Sequence, residues 1–309
     1  MVFLFAEASP LKWLAVALMV GTLFCSFTFW VQIFTRWYLG QSLRIGVPRM
    51  PVPWSGLVVY LSFFVTFIAP TFILVAAAAE PGKSPKTFTV LDVQRSCAAG
   101  ITQAWLLLMM LHLHSPLRAM DLGWRRLAHR LQPPATEAAG KTAPLTVSTL
   151  TRTDLLIGFL GFIACWLPVF AVNQVVALSR AMILKWNGMT DVEPKHPFFT
   201  ILENDPQWST IAWIALSVVV IAPMVEELLY RVVLQGFLET RNPHLAVIVS
   251  SLVFAGVHSL DGRPDALPLF PLALTLGFIY QQRHSYPAVV LLHALFNALN
   301  LLLAVSMAK

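Results

Sequence analysis

The chain is 309 residues long, 57% hydrophobic and only 12% charged, with a mean hydropathy of +0.71, a balance too apolar for the half-exposed elements of a soluble domain. The formal charge of +6 does not mark a nucleic-acid partner. The lysines and arginines sit in short connections beside apolar runs, not on one basic stripe, and there they read as orientation signals.

Crossing a bilayer as a helix takes about 20 mostly apolar residues, and the chain offers about eight such stretches, each longer and more uniformly apolar than a barrel strand. They run from Leu11 to Phe34, Trp54 to Ala79, Cys97 to His114, Leu155 to Leu178, Trp208 to Leu238, Pro243 to Ser259, Ala266 to Gln281 and Tyr286 to Met307. Trp13, Trp54, Trp208, Tyr280 and Tyr286 fall near their ends, as interfacial aromatics do. The first stretch has a long apolar core and no small-residue cleavage site ahead of a soluble domain, so it is expected to remain as an anchor. Cys25, Cys97 and Cys165 lie within these stretches without paired spacing; they read as small buried hydrophobes, not as a disulfide framework or a zinc knuckle. The fold class is therefore all-α, a polytopic transmembrane helical bundle of about eight spans.

Between the third and fourth stretches, "RAMDLGWRRLAHRLQPPATEAAGKTAPLTVSTLTRTD" begins basic and turns rich in Pro, Ala and Thr, like a surface helix followed by a flexible linker. It divides the chain into an amino-terminal three-span region (1–120), a linker (121–153) and a carboxy-terminal membrane region (154–309). Its basic residues, with Arg36, Arg44 and Arg49, place these two connections in the cytoplasm.

The fifth stretch holds the one charge cluster inside a span, "APMVEELLYRVVLQGF". Charges there are costly, on the order of 2.5–3.5 kcal/mol each on insertion scales, so they pair or perform a function. Glu227 and Arg231 are four apart on one helical face, with the acid on the amino-terminal side, the better orientation for an ion pair. Glu226 points about 100° away and is the charge left over. A carboxylate beside a like charge in a poorly solvated site is the kind that serves as a general base. The structural alternative is a clamp in which both glutamates bond Arg231. Pro223, just upstream, either bends the helix or opens backbone groups toward a cavity.

Two later spans contribute polar groups of the same kind. "FAGVH" sets Phe254 and His258 on one helical face, and "HALFN" does so for His293 and Asn297. Buried polar groups in hydrocarbon need partners, and these can supply one another. Glu226 with His258 can hold and deprotonate a water, while His293 and Asn297 carry donors suited to an oxyanion. Glu226, His258 and His293 also resemble a two-histidine, one-carboxylate zinc set. The helical H-E-x-x-H pattern is absent, so a metal ranks below metal-free chemistry and no cofactor is expected. Ser250, Ser251 and Ser259 read as helix-packing or end residues.

"EELLYR", "FAGVH" and "HALFN" together resemble the three motifs, E-E-x-x-x-R, F-x-x-x-H and H-x-x-x-N, of the CPBP intramembrane protease family, which includes type II CAAX prenyl proteases and bacterial Abi-like proteins. The resemblance covers about Asp154 to Met307, and every motif position is intact. It implies a membrane bundle around a polar cavity, with Glu226 as the water-activating base and His258 positioning that water. His293 and Asn297 would stabilise the oxyanion, and Glu227 with Arg231 would be the supporting pair. The expected activity is an intramembrane endopeptidase of the bacterial plasma membrane, acting among membrane lipid on a membrane-anchored protein or peptide. Two other readings of the same cluster are a non-catalytic scaffold or bacteriocin-immunity protein, and a proton-coupled transporter.

Overall fold

The computed structural model describes residues 9–41, 52, 54–78, 89–114, 152–189, 197–204, 207–259 and 266–308. The linker lies outside the described residues up to residue 151, as do residues 260–265. Every expected span is met by a helix. These are α1 (Pro10–Tyr38), α2 (Gly56–Ala78), α3 (Val90–His114), α4 (Arg152–Trp186), α6 (Trp208–Leu238), α7 (Pro243–Val257), α8 (Ala266–Arg283) and α9 (Tyr286–Ala308), with a short α5 (Pro197–Asn204) leading into α6. There is no strand among the described residues. The molecule is a helical membrane bundle.

Among the described residues, five helices are both long and apolar enough to cross a bilayer, α1, α3, α4, α6 and α9, against the eight expected; of the 23 residues of α2 only Gly56–Phe67 bear on that number. Length accounts for one difference: α7 has 15 residues and rises only about 22 Å, short of a hydrocarbon core of about 30 Å. Composition accounts for another, since α8 carries Pro271 within its 18 residues and ends on polar side chains. At the other extreme α4, with 35 residues, is about 52 Å long.

The helix starts follow from local chemistry. Pro10 and Pro243 occupy the first turns of α1 and α7, where no backbone donor is needed. Asn242 Oδ1 accepts the free N–H groups of His244 and Leu245 at 3.1 and 3.0 Å. At α3 Asp92 Oδ2 reaches back to the Thr89 N–H at 2.8 Å.

The bundle closes around α4, α8 and α9. Gly158 faces the Ala288 carbonyl, Gly161 faces Leu292 and Ile279, and the Trp166 and Phe296 rings meet at 5.2 Å. The constant offset between these partners makes α4 and α9 parallel neighbours, drawn close by glycine as in other membrane helix pairs. Asp154 on α4 takes Arg283 of α8 at 2.9 Å, both buried. α1 lies on α4, where Ser26 and Trp30 donate to the Ala164 carbonyl at 3.4 and 2.9 Å. α2 and α3 cover α6: Trp54 Nε1 donates to the Val233 carbonyl at 3.2 Å, and Gly100 lets α3 approach Ile221. The three amino-terminal helices are thus packed into the carboxy-terminal ones. Large apolar residues such as Phe24, Phe34, Trp105 and Val175 are exposed, the inverse of a soluble surface. Cys97 and Cys165 are buried as expected, whereas Cys25 is exposed on the outer face of α1, where a lipid surround accepts a small apolar side chain as readily as a core does.

Candidate active site

The site is built on α6, which is not a uniform α-helix. Leu216–Ile221 and Leu228–Gln235 are π-helical, with the α-helical turn Ala222–Glu227 between them. Such wide turns concentrate at functional sites. The first has an identifiable consequence. The Ala222 N–H bonds the Ser217 carbonyl, five residues back, which leaves the Val218 carbonyl to residue 223. That residue is Pro223, which has no N–H. The orphaned carbonyl is met from another helix: Asn297 Nδ2 donates to Val218 O at 2.7 Å.

Glu226 and Glu227 close the α-helical turn and diverge. Glu227 is fully buried and receives Arg231 Nε at 3.1 Å. Arg231, also fully buried, donates through Nη1 to Ser250 Oγ at 3.4 Å and stacks 5.2 Å from the Phe254 ring centroid. The other oxygen of Glu227 accepts from His293 Nδ1 at 2.8 Å. Glu226 takes no part in this pairing, and its buried Oε2 makes no hydrogen bond among the described residues. It lies 3.8 Å from His293 Nε2 and 4.0 Å from His258 Nε2.

The tautomers follow from the partners. His258 Nδ1 is 2.8 Å from the Phe254 carbonyl, which only accepts, so the hydrogen is on Nδ1. The carboxylate of Glu227 imposes the same choice on His293. In that tautomer each Nε2, when unprotonated, turns its lone pair toward the same carboxylate oxygen. Three acceptors facing one another require a proton donor or a cation between them. The ring of Phe254 holds the two imidazoles apart, at 4.8 Å from His258 and 5.7 Å from His293.

Of the expected residues, Glu226, His258 and His293 meet, and Glu227 with Arg231 supports them from one side. Asn297 is turned toward Val218 and borders a second cavity of about 440 Å3, with Trp166, Asn173 and Asn300. Glu226 and His258 open instead onto a cavity of about 440 Å3 on the opposite face of α6, walled by α2 and α3.

Ser250 is not merely a packing residue. It receives Arg231 and donates to Gln235 Oε1 at 3.2 Å, while Gln235 Nε2 donates to Glu239 Oε1 at 2.7 Å and to the Gly277 carbonyl at 2.8 Å. This extension had a signal in the sequence: Glu227, Arg231, Gln235 and Glu239 recur every fourth residue, as do Ser250, Phe254 and His258 on the facing helix.

As for a metal, no group of three or more His, Cys, Asp or Glu side chains among the described residues is arranged to hold one. Tetrahedral zinc with bonds of about 2.0–2.2 Å would hold its N and O ligands about 3.4 Å apart, closer than the 3.8 and 4.0 Å separations here.

Comparison with known proteins falls on this same part of the chain. Residues 207–299 match the type II CAAX prenyl endopeptidase Rce1-like family. The matched stretch runs from the start of α6 into α9 and contains all six residues named above; α1 to α5 lie outside it. Two Lactococcus lactis proteins are similar over 84 residues. One is UPF0177 protein YaiH of strain IL1403, 33% identical over 27% of this chain and 34% of its own length. The other is a UPF0177 protein in the abiGi 5′ region, from subspecies cremoris, 31% identical over 27% and 35%. The chain thus spans about a third of the length of these curated relatives. No solved structure matches it. With its long apolar helices the chain is a multi-pass integral membrane protein, and residues 207–299 within it resemble a protease family.

Proposed function

We propose that the protein is an intramembrane endopeptidase that hydrolyses a peptide bond of a membrane-anchored protein or peptide with a water activated by Glu226. The observation that carries this reading is Glu226 Oε2, buried 3.8 and 4.0 Å from two imidazole Nε2 atoms. Those gaps exceed a direct hydrogen bond, and one water bonded at both ends of such a gap spans about 4–4.5 Å.

Glu226 takes a proton from this water as its oxygen attacks the scissile carbonyl carbon, and the carbonyl oxygen becomes an oxyanion. His258, its ring fixed through Nδ1, holds the water's second hydrogen on Nε2. His293, once protonated on Nε2 beside two carboxylates, donates to the oxyanion. Asn297 spends one amide hydrogen on Val218 and borders the other cavity, which leaves His293 as the oxyanion donor in this scheme. Collapse of the tetrahedral species breaks the C–N bond, and the leaving amine takes the proton held by Glu226. Glu227 and Arg231 keep His293 in its tautomer. No cofactor takes part in this scheme.

The test compares the termini of membrane peptides in cells carrying the native chain and cells carrying Glu226→Gln. Glutamine keeps the shape and loses the base, so a set of new termini should vanish while the protein still accumulates. Identical termini in the two cell lines, with any phenotype retained, would instead make the cluster a scaffold.

A further inference from the structure

The cavity at Glu226 and His258 has an opposite wall that belongs to the amino-terminal helices. Thr66 and Phe67 of α2 and Ser96, Gly100 and Gln103 of α3 line it. None of these lies in the Rce1-like stretch 207–299. Ser96, Gly100 and Gln103 are spaced by four and three residues and so share one face of α3. Gly100 is where α3 and α6 touch, since a Cβ there would come within 2.4 Å of Ile221 Cγ2.

The chemistry of this wall is set by where its hydrogens go. The Ser96 hydroxyl donates to the Asp92 carbonyl at 2.8 Å, and the Thr66 hydroxyl donates to the Ser62 carbonyl at 2.8 Å. Gln103 Nε2 donates to the Thr66 carbonyl at 2.7 Å. Both hydroxyls have therefore spent their hydrogens and offer lone pairs, while Gln103 offers its carbonyl oxygen and one remaining N–H. A ligand that satisfies such a wall must bring mainly N–H donors, with a carbonyl among them. That is the inventory of an extended peptide main chain. From Ser96 to Gln103 the wall runs about 10 Å along the helix axis, or about three extended residues. A prenyl chain brings no donor and would leave these oxygens unpaired.

We propose that the α2–α3 wall is the subsite for the main chain beside the scissile bond, and that a prenyl chain, where a peptide carries one, lies elsewhere. The proposal rests on the proteolytic reading of Glu226, and its test is arranged so that the two can fail separately. The probes are two internally quenched apolar 12-residue peptides, identical except for a farnesyl thioether on one cysteine. They are presented to the full-length protein in lipid nanodiscs. Binding is read on the Glu226→Gln protein, which needs no turnover, and KM and kcat on the unaltered one.

Removing the wall oxygens with Thr66→Val, Ser96→Ala and Gln103→Leu together should weaken the unlipidated peptide about tenfold or more, at about threefold per hydrogen bond. The loss should appear in Kd and KM, with kcat little changed, and should be the same for the farnesylated peptide, whose main chain is identical. Gln103→Met alone, close in shape, should show a smaller loss of the same kind if the triple variant fails to accumulate. No loss for either peptide, no binding of either, or a loss for the unlipidated peptide with unchanged or tighter binding of the farnesylated one would overturn the proposal. Full cleavage by Glu226→Gln would sink the proteolytic reading while leaving the binding result to decide the wall.

Discussion

The link between Pro223, Val218 and Asn297 makes a prediction whose sign depends on background. In the native chain Asn297→Leu removes the donor at 2.7 Å and strands the Val218 carbonyl, because residue 223 has no N–H to give. An unsatisfied buried carbonyl costs about 1–3 kcal/mol, and leucine keeps the branched skeleton of asparagine, so no cavity opens. The expected destabilisation is about 2 kcal/mol. In a Pro223→Ala chain the restored N–H can reach back to Val218 in the π register, or to Val219 in the α register with its neighbours following. There Asn297→Leu should cost about half as much or less. The double-mutant cycle through the two sites should therefore show a coupling of about 1 kcal/mol or more, the double variant being more stable than the sum of the singles. The assay is reversible unfolding of the purified full-length protein in mixed micelles by titration with dodecyl sulfate, followed by tryptophan fluorescence. Additivity within about 0.5 kcal/mol would mean that Asn297 does not serve the carbonyl that proline orphans.

The same unfolding assay reads three further expectations. Arg231→Met leaves Glu227 ionised and fully buried and should cost about 3–5 kcal/mol, whereas Glu227→Gln with Arg231→Met should recover much of that; an equal loss in both would argue that packing on Phe254, and not charge, is what Arg231 supplies. Gly158→Ala drives a Cβ to 2.6 Å from the Ala288 carbonyl oxygen, a backbone atom that cannot rotate away. It should destabilise by about 1–3 kcal/mol, while Gly21→Ala, with nothing within 4 Å, should change stability by less than about 0.5 kcal/mol. Gly100→Ala meets Ile221 Cγ2 and should be destabilising alone and partly rescued by Ile221→Ala; absence of rescue would place the strain elsewhere than the α3–α6 contact.

What was legible in the sequence was whatever leaves a periodic trace. Apolar runs of span length gave every long helix, because in hydrocarbon the backbone must bond to itself and a helix is how one segment does so. The pairing of Glu227 with Arg231 and the isolation of Glu226 followed from 100° per residue, and that geometry survives although Arg231 sits in a π-helical turn. Periodicity says which residues share a face of one helix; it does not say which faces of different helices meet. For that reason the meeting of Glu226 with His258 and His293 needed coordinates, as did the finding that α2 and α3 wall the cavity. Asn297 shows the limit most clearly. Its side chain carries the same amide whether it serves a substrate oxygen or a backbone carbonyl, and the choice is made by the six-residue π-helical turn Leu216–Ile221 and the proline that follows it, about 80 residues earlier in the chain. The proline was visible as a place where backbone groups open. The carbonyl it frees, and the amide that closes the gap, belong to the packing of α6 against α9, and so the residue that resembles an oxyanion donor is at the same time the one that keeps the turn before Glu226 satisfied.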